Sequence, residues 1–344
     1  MNGGREEVMK KYFLKPGEKG TDALQIQKMT LPDLGDHEVC VRVHSASVNY
    51  RDLLVANMGV SQSLVPLSDG AGVVEGVGKA VIGLKKGDRV AGLFFPLWQS
   101  GSIDAFKYAT ARGGKPTDGM LAQYVCGHED GFIKFPDYLS YNEAATLPCA
   151  GLTAWNALVV QGKLKPGETI VILGTGGVAL FGLQLAKSIG ARVILLSSSD
   201  EKLEKGKAMG ADVLINYKKD PDWEKSVLQK TGQVGADLVL ELGGGGTLAR
   251  SIEAVKMSGR ISLVGVLTGF DAQINPLPIL RKSLTINGIY VGSRDMQNQF
   301  HQALNVNKIH PVIDRVFKFD QAKEAYAYMQ SGRHFGKIVI HLES

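Results

Sequence analysis

Gly174, Gly176 and Gly177 follow directly on Thr169–Leu173, a run of β-branched and aliphatic residues too short for a helix that reads as a buried parallel strand. Val178, Phe181, Leu185 and Ile189 then recur at helical spacing. Gly190 stands where a left-handed cap belongs, and Arg192–Leu196 reads as a second buried strand. In that order the first glycine lets the chain turn tightly out of the strand. The second lets backbone approach a pyrophosphate, held by the exposed N–H groups and positive end of the helix. Ala179 fills the third position of the fingerprint, so the stretch predicts a dinucleotide site.

The end of the second strand indicates which dinucleotide. NAD sites usually carry a carboxylate there for the ribose 2′-hydroxyl, whereas this chain has Ser197, Ser198 and Ser199, with Lys202 one turn into the next helix. Small hydroxyls leave room for a 2′-phosphate and a lysine attracts one. Asp200 and Glu201 read as first-turn residues that complement the helix dipole. The expected cofactor is NADPH, with NADH the alternative.

A further polar group stands in SVNYRDLL, where Asn49, Tyr50, Arg51 and Asp52 follow a strand ending near Ala46. Past an apolar strand such residues sit where a domain edge faces a cleft, suited to donating hydrogen bonds. The competing reading is a turn in which Arg51 and Asp52 cap the next helix. Ser68 and Asp69 make a second polar break. Metal chemistry needs three or four converging ligands, yet there is no C-x-x-C and no H-E-x-x-H. Cys126 and His128 would share one strand face with Cys149 as a further thiol, but separated cysteines read as small buried hydrophobes. Three cysteines, odd in number and far apart, argue against a disulfide framework.

These groups need elements to position them. From about Leu24 to Phe135, short runs such as HEVCVRVHSASV, GAGVVEGVG and GDRVAGLFF are separated by Gly, Pro and Asp, and predict a small, highly curved β-barrel or sandwich. Gly70, Gly72, Gly76 and Gly78 inside one strand pattern predict bulges or sharp bending. SYNEAATLPCAGLTAWNAL reads as two short helices kinked at Pro148. After the fingerprint come helix Asp200–Met209, strand Asp212–Ile215, a helix near Trp223–Gln229, strand Asp237–Leu242, helix Thr247–Met257, strand Arg260–Val266 and a sixth strand in LTINGIYVG. They predict a doubly wound parallel sheet of order 3-2-1-4-5-6. The tail, with a helix over Asp295–Asn305, the strand PVIDRVFKF, a helix over Gln321–Met329 and the strand GKIVIHL, is expected to fold back and complete the first domain's sheet. The fold class is thus α/β plus β, with residues 1–144 and 295–344 in one domain and 145–294 in the other.

A chain of 344 residues is long enough for two cores, and 44% hydrophobic with 21% charged residues is ordinary globular composition. The net charge of +5 is dispersed, without the basic cluster that nucleic acid or a membrane surface calls for. No apolar run reaches the length of a membrane span, and MNGGREEVMKKYF lacks a signal peptide's apolar core, so the expected location is the cytoplasm. Residues 1–8 read as an extension or alternative start before Met9.

Taken together, SVNYRDLL, PLSDGAGVVEGVG, LPCAGLTAWNAL, ILGTGGVALFGLQLAK, SSSDEK, LVGV, GIYVGSR and HFGKIVI resemble the medium-chain dehydrogenase/reductase superfamily, from Met9 to the end. The chain looks most like the zinc-free, quinone-oxidoreductase-like branch often labelled NAD(P)-dependent alcohol dehydrogenase. The resemblance implies a GroES-like catalytic domain and a Rossmann NADP-binding domain. Zinc-dependent relatives place cysteine where Asn49 stands, histidine at Ser68 and glutamate at Asp69, so only Cys149 matches a ligand. Their four-cysteine structural lobe has no counterpart in PLWQSGSIDAFKYATARGGKPTDG. The family's cofactor contacts carry over to Thr153, to Gly176, Gly177 and Val178 at the pyrophosphate, and to Ser197, Ser198 and Lys202 at the 2′-phosphate. Tyr217 would flank the adenine, and Gly265, Val266, Val291 and Gly292 would lie beside the nicotinamide. Leu54 stands where many quinone reductases have a tyrosine on the substrate side.

The resulting expectation is an NADPH-dependent oxidoreductase that transfers hydride to quinones or α,β-unsaturated carbonyls without zinc. Asn49, Tyr50 and Arg51 are the candidate donors to the developing oxyanion, and Tyr50 or water is the source of the proton. Asp52 is expected to orient Arg51 rather than to titrate. Two other readings compete: an alcohol dehydrogenase acting on simple alcohols and aldehydes, and a non-catalytic NADPH-binding protein. The partners expected are a small electrophilic substrate and a second copy of the chain, paired as a homodimer along the sixth strand.

Overall fold

The computed structural model describes residues 9–114 and 116–342, so the extension expected before Met9 lies outside the described residues. The chain divides into two compact units. One runs to Cys149 and takes in Ser293–Asn305 and the segment from Ile313 onward; the other comprises Ala150–Gly292 with Val306–Val312.

In the first unit Lys10–Leu14 (β1) pairs antiparallel with Leu24–Lys28 (β2). Glu38–Val48 (β3), Asp69–Val77 (β4), Arg89–Gly92 (β5), Tyr124–His128 (β6) and Phe132–Lys134 (β7) follow. β3 is long enough to serve three neighbours: one edge pairs along β4, while the other takes β6 over its first half and a C-terminal strand over its second. The β3–β4 register slips at Cys40/Val41 and at Val43/Ser45. These are the bulges that the glycine-rich strand predicts. At Gly72 an added Cβ would lie 2.0 Å from the Arg42 carbonyl oxygen, so only glycine lets the two backbones approach this closely.

The second unit holds Thr169–Leu173 (β8), Arg192–Ser197 (β9), Val213–Asn216 (β10), Ala236–Glu241 (β11), Val255–Leu263 (β12) and Thr285–Gly288 (β13). Their order, β10-β9-β8-β11-β12-β13, all parallel, is the doubly wound arrangement expected. Ile170, Val171, Ile172, Val193, Ile194, Leu238, Val239 and Ile261 have no exposed surface, as strands covered on both faces require. Each such side chain contributes about 1.5–3 kcal/mol by burial. The helix Gly177–Ile189 lies close to the sheet because Gly182 has no Cβ to strike Leu240, which would otherwise sit 2.8 Å away.

Two elements differ from expectation. The helix predicted over Thr247–Met257 is Leu248–Ala254: Val255 already pairs with Ala236, and Ser258 takes a left-handed φ of 55°, which a helix cannot continue through. Pro148 breaks nothing. It stands second in Leu147–Gly151, where a missing N–H is harmless, and helical backbone continues through Leu152–Trp155 and Asn156–Val160 with wide π-type turns at both ends.

Most of the tail returns to the first unit, but Val306–Val312 belongs to the second, where the expectation puts the whole of 295–344 in the first. Ile313–Lys318 (β14) and Lys337–His341 (β15) extend its sheet to the order β14-β15-β3-β4-β5-β7, with β6 beside β3. Leu14, Leu24, Val39, Val41, Met120, Phe132, Tyr326 and Ile338 belong to the core beneath it. Among the described residues no helix is long and apolar enough to cross a membrane.

Candidate functional site

The second unit's site grows out of the end of β8. Gly174 turns with φ +84° and donates its N–H to Leu196 O at 2.7 Å, which ties the turn to β9. Gly176 precedes the helix Gly177–Ile189 in extended backbone and supplies no capping side chain. The first N–H groups of this helix, with Val178 in its first turn, are therefore left for an anion. At the end of β9 Ser197 is buried, and its Oγ accepts from Ser199 N at 3.4 Å. Ser199 in turn caps the helix Asp200–Ala208 by accepting from Lys202 N. Ser198 is half-buried between them.

Both nearby carboxylates are already engaged. Asp200 accepts from Lys219 Nζ at 2.5 Å and Asn216 Nδ2 at 2.6 Å, and Glu201 accepts from Lys205 Nζ at 2.7 Å. Those partners hold both acids below their ordinary range. A cavity of about 330 Å³ opens at the carboxyl ends of the strands, lined by Gly174, Leu196, Tyr217, Leu242, Thr247 and Arg250. An open parallel sheet binds ligands at this end.

After β12 and after β13 the expected nicotinamide residues lie in two stretches of closely packed backbone. A Cβ on Gly265 would lie 2.3 Å from Leu242 O, and one on Gly292 would meet Leu152 at 2.9 Å, beside the buried Thr153. Gly244 comes so close to Val266 that its own Cβ would touch the Val266 Cα at 2.8 Å. Val291 holds φ +53°, a strained value for a β-branched residue, and its carbonyl is fixed by Asn156 Nδ2 at 2.8 Å. Such strain is stored where surrounding structure over-determines it, commonly at ligand clamps.

In the first unit the four candidate catalytic residues separate. Asn49 and Asp52 are buried and bound to each other's backbone through a capping box: Asn49 N donates to Asp52 Oδ2 at 2.7 Å as the helix Tyr50–Met58 begins. Arg51 leaves this pair. Its guanidinium donates to Arg112 O at 2.8 Å and lies 4.9 Å from the centre of the Phe94 ring. Asp52 therefore caps a helix instead of holding Arg51, and burial pushes its carboxyl up to about 7. Tyr50, at the first turn, is 38% exposed.

Beneath them lies a polar core with one cation. Lys337, 3% exposed at the start of β15, donates to Asn49 Oδ1 at 2.5 Å and to Val48 O at 2.9 Å. Asn49 Nδ2 reaches Ser68 Oγ at 3.4 Å. Ser68 donates to Asp69 Oδ1 at 2.7 Å, and Cys149 N donates to Asp69 Oδ2 at 3.2 Å. Burial raises Asp69 against the pull of Lys337, and burial with the Asp69 charge pushes the Cys149 thiol well up.

Comparison with known proteins identifies the assembly. The model described as "Alcohol dehydrogenase GroES-like domain" matches residues 35–137, and that described as "Zinc-binding dehydrogenase" matches residues 177–307. A zinc-type alcohol dehydrogenase-like protein of Schizosaccharomyces pombe is 40% identical over 344 residues, covering 97% of this chain and 99% of its own. The chain belongs to the medium-chain dehydrogenase/reductase superfamily. A solved structure from Sinorhizobium meliloti superimposes with a TM-score of 0.92 at 41% identity, covering 98% of this chain and 100% of that one. The 2-methylene-furan-3-one reductase of Solanum lycopersicum is 32% identical over 335 residues, covering 93% of this chain and 76% of its own.

Against the zinc-dependent members of this superfamily, the ligand positions here are spent on each other. Asn49 Oδ1 accepts from the Lys337 ammonium, Ser68 Oγ donates to Asp69 Oδ1, and Asp69 Oδ2 accepts from Cys149 N. As arranged, these donors do not suit a zinc ion. Among the described residues no three His, Cys, Asp or Glu side chains are placed to hold a metal. Cys126 faces Cys40 across the β3–β6 pair rather than approaching Cys149.

Two parts of the site are not foreseeable from sequence in the same way. Lys337 stands inside HFGKIVI, and nothing in that stretch says that its amine lies on Asn49. The other is the loop after β11, where fully buried Glu241 accepts from Gly243 N at 2.7 Å, Gly244 N at 3.0 Å, Thr247 Oγ1 at 2.6 Å and Ser251 Oγ. Thr268 Oγ1 closes this loop, accepting from Gly246 N and donating to Gly243 O, each at 2.8 Å. The run Gly243–Gly246 between an acid and a threonine is the signal that could have found it.

Proposed function

We propose that this chain transfers hydride from NADPH to quinones or α,β-unsaturated carbonyls, without zinc. The observation that carries the reading is the Lys337 ammonium on Asn49 Oδ1, in the polar core where zinc-dependent relatives keep their ligands. Reduction of a simple ketone concentrates charge on an alkoxide, which a Lewis acid normally holds. Losing a comparable donor costs about 3–4 kcal/mol. Quinones and enones ask less, because hydride addition gives a delocalised phenolate or enolate. The name of the tomato relative, an enone-type reductase, supports the same class.

When bound, NADPH supplies the hydride. The chain's own groups do the rest: the N–H groups at Gly176–Val178 take the pyrophosphate, while Ser197, Ser198 and Lys202 take the 2′-phosphate. Asp200 and Glu201, engaged with lysines, leave that phosphate unopposed. Gly174 and Tyr217 border the adenosine cavity. Thr153, Gly265, Val266, Val291 and Gly292 border the nicotinamide. Tyr50 and the Asn49 amide donate to the oxyanion, Asn49 the more strongly because Lys337 polarises its carbonyl. Arg51 contributes charge, and Tyr50 or water returns the proton.

The test is NADPH oxidation against a quinone, an enone, an aldehyde and a saturated ketone, with zinc measured on the same sample. Quinone and enone turnover should exceed that of the ketone. NADPH should exceed NADH in kcat/KM by about tenfold, the worth of a charge-assisted contact. Tyr50→Phe should lower kcat about a hundredfold. Stoichiometric zinc with oxidation of simple alcohols would replace this reading with the activity that the fission-yeast relative's name suggests. NADPH binding without turnover on any of the four would leave a binding protein.

A further inference from the structure

We infer that Cys40 and Cys126 are a redox modification site, closing to a reversible disulfide when the protein meets a hydroperoxide. The two residues are 86 positions apart in sequence but directly opposite in the antiparallel β3–β6 pair, with Sγ atoms 2.7 Å apart and both thiols free. Directly opposed cross-strand residues have Cβ atoms about 4.5–5.5 Å apart, close to the roughly 3.5–4.5 Å a disulfide spans, so small side-chain rotations suffice. The pair is also asymmetric. Cys40 is 4% exposed, whereas Cys126 is half-buried and is the sulfur an oxidant reaches first.

The shared contact supports the same division of labour. The contact between the sulfurs favours a thiolate on one of them, and the more exposed Cys126 is the one placed to meet an oxidant with Cys40 behind it as the resolving thiol. In the first step Cys126 thiolate attacks a peroxide oxygen, giving the Cys126 sulfenic acid and expelling hydroxide or alkoxide. In the second the Cys40 sulfur attacks the Cys126 sulfur and its proton leaves with the sulfenic oxygen as water. Two thiols are oxidised by two electrons, and the peroxide is reduced. Among the described residues neither cysteine shares a hydrogen bond with Asn49 or Lys337, so this chemistry is separate from the polar core. Cys149, buried beside Asp69 with its thiol pushed up, is the internal control.

The folded full-length chain is treated with hydrogen peroxide, quenched, unfolded and alkylated, and its peptides are mapped by mass. Two of the three cysteines should escape alkylation as a linked Cys40–Cys126 peptide pair, Cys149 should remain alkylatable, and dithiothreitol should restore all three. In Cys40→Ser, dimedone should label Cys126 and no linked pair should form. Retention of three alkylatable thiols in the parent overturns the inference, as does a linkage to Cys149 or a Cys126 that dimedone leaves unlabelled in Cys40→Ser. The parent experiment stands by itself should the variant fail to fold.

Discussion

Lys337 is the residue on which the first unit's polar core depends. Its ammonium is buried among Asn49, Asp69 and Asp52, and its positive charge lowers both acids against a larger desolvation cost. Lys337→Met should remove the compensation without leaving a void. The expected loss is about 3 kcal/mol of unfolding free energy, typical of a buried charge left without its partner, read by urea denaturation. An unchanged midpoint would mean that the carboxylates are neutral without it. Asp52 gives a pH signature. Its folded value of about 7 lies above the ordinary 3.8, so the folded state holds the proton more tightly. The stability this group contributes is full below about pH 4 and is lost as pH rises through about 7. Asp52→Asn cannot ionise, so its melting temperature should gain on the parent's by several degrees between pH 5 and pH 8. Asp69 shifts in the same direction and its charge helps to raise Asp52, so the difference reports the coupled pair of carboxyls with Asp52 removed.

Among elements, the loop after β11 is held by a dense set of hydrogen bonds. Glu241 accepts four of them there, and Thr247 belongs both to this network and to the lining of the cavity that Gly174 and Tyr217 share. Glu241→Gln keeps the shape but turns one acceptor into a donor facing N–H and hydroxyl groups. A cost of about 1–3 kcal/mol is expected, appearing both as a lower melting temperature and as roughly tenfold weaker NADPH binding by fluorescence titration. Loss of stability with unchanged binding would make the loop purely structural. This loop also marks where the sequence stops being legible. Strand period, glycine positions and helix caps suffice for the β8 turn, because each is a local pattern, and strands alternating with helices imply the doubly wound order. Register is not local: β15 meets β3 antiparallel with Ile338 opposite Val48, which brings Lys337 onto Asn49 across 288 residues. The β3–β6 register likewise brings Cys40 to Cys126 across 86. The expectation that Asp52 orients Arg51 fails for a related reason, since a carboxylate three residues past Asn49 serves the helix start before it serves its neighbour.

For the whole molecule the open question is what covers the outer edge of the second unit's sheet. β13 is last in the strand order and pairs only with β12 among the described residues, leaving backbone donors and acceptors along its far side. The chain on either side of it exposes apolar side chains: Leu277 at 42%, Leu280 at 76% and Tyr290 at 39%. A bare edge flanked in this way invites aggregation unless it is paired, and an isologous contact along β13 would satisfy both the backbone and the apolar surface with one interface. We propose that two copies pair there. Thr285, exposed on β13, is not part of either site, so Thr285→Lys tests the idea without touching the chemistry. A lysine on this edge resists strand pairing. Sedimentation equilibrium should give a dimer mass for the parent and a monomer mass for Thr285→Lys, with NADPH binding retained in both. A monomeric parent would sink the proposal, as would a variant that remains fully dimeric, since the pairing would then run through another face.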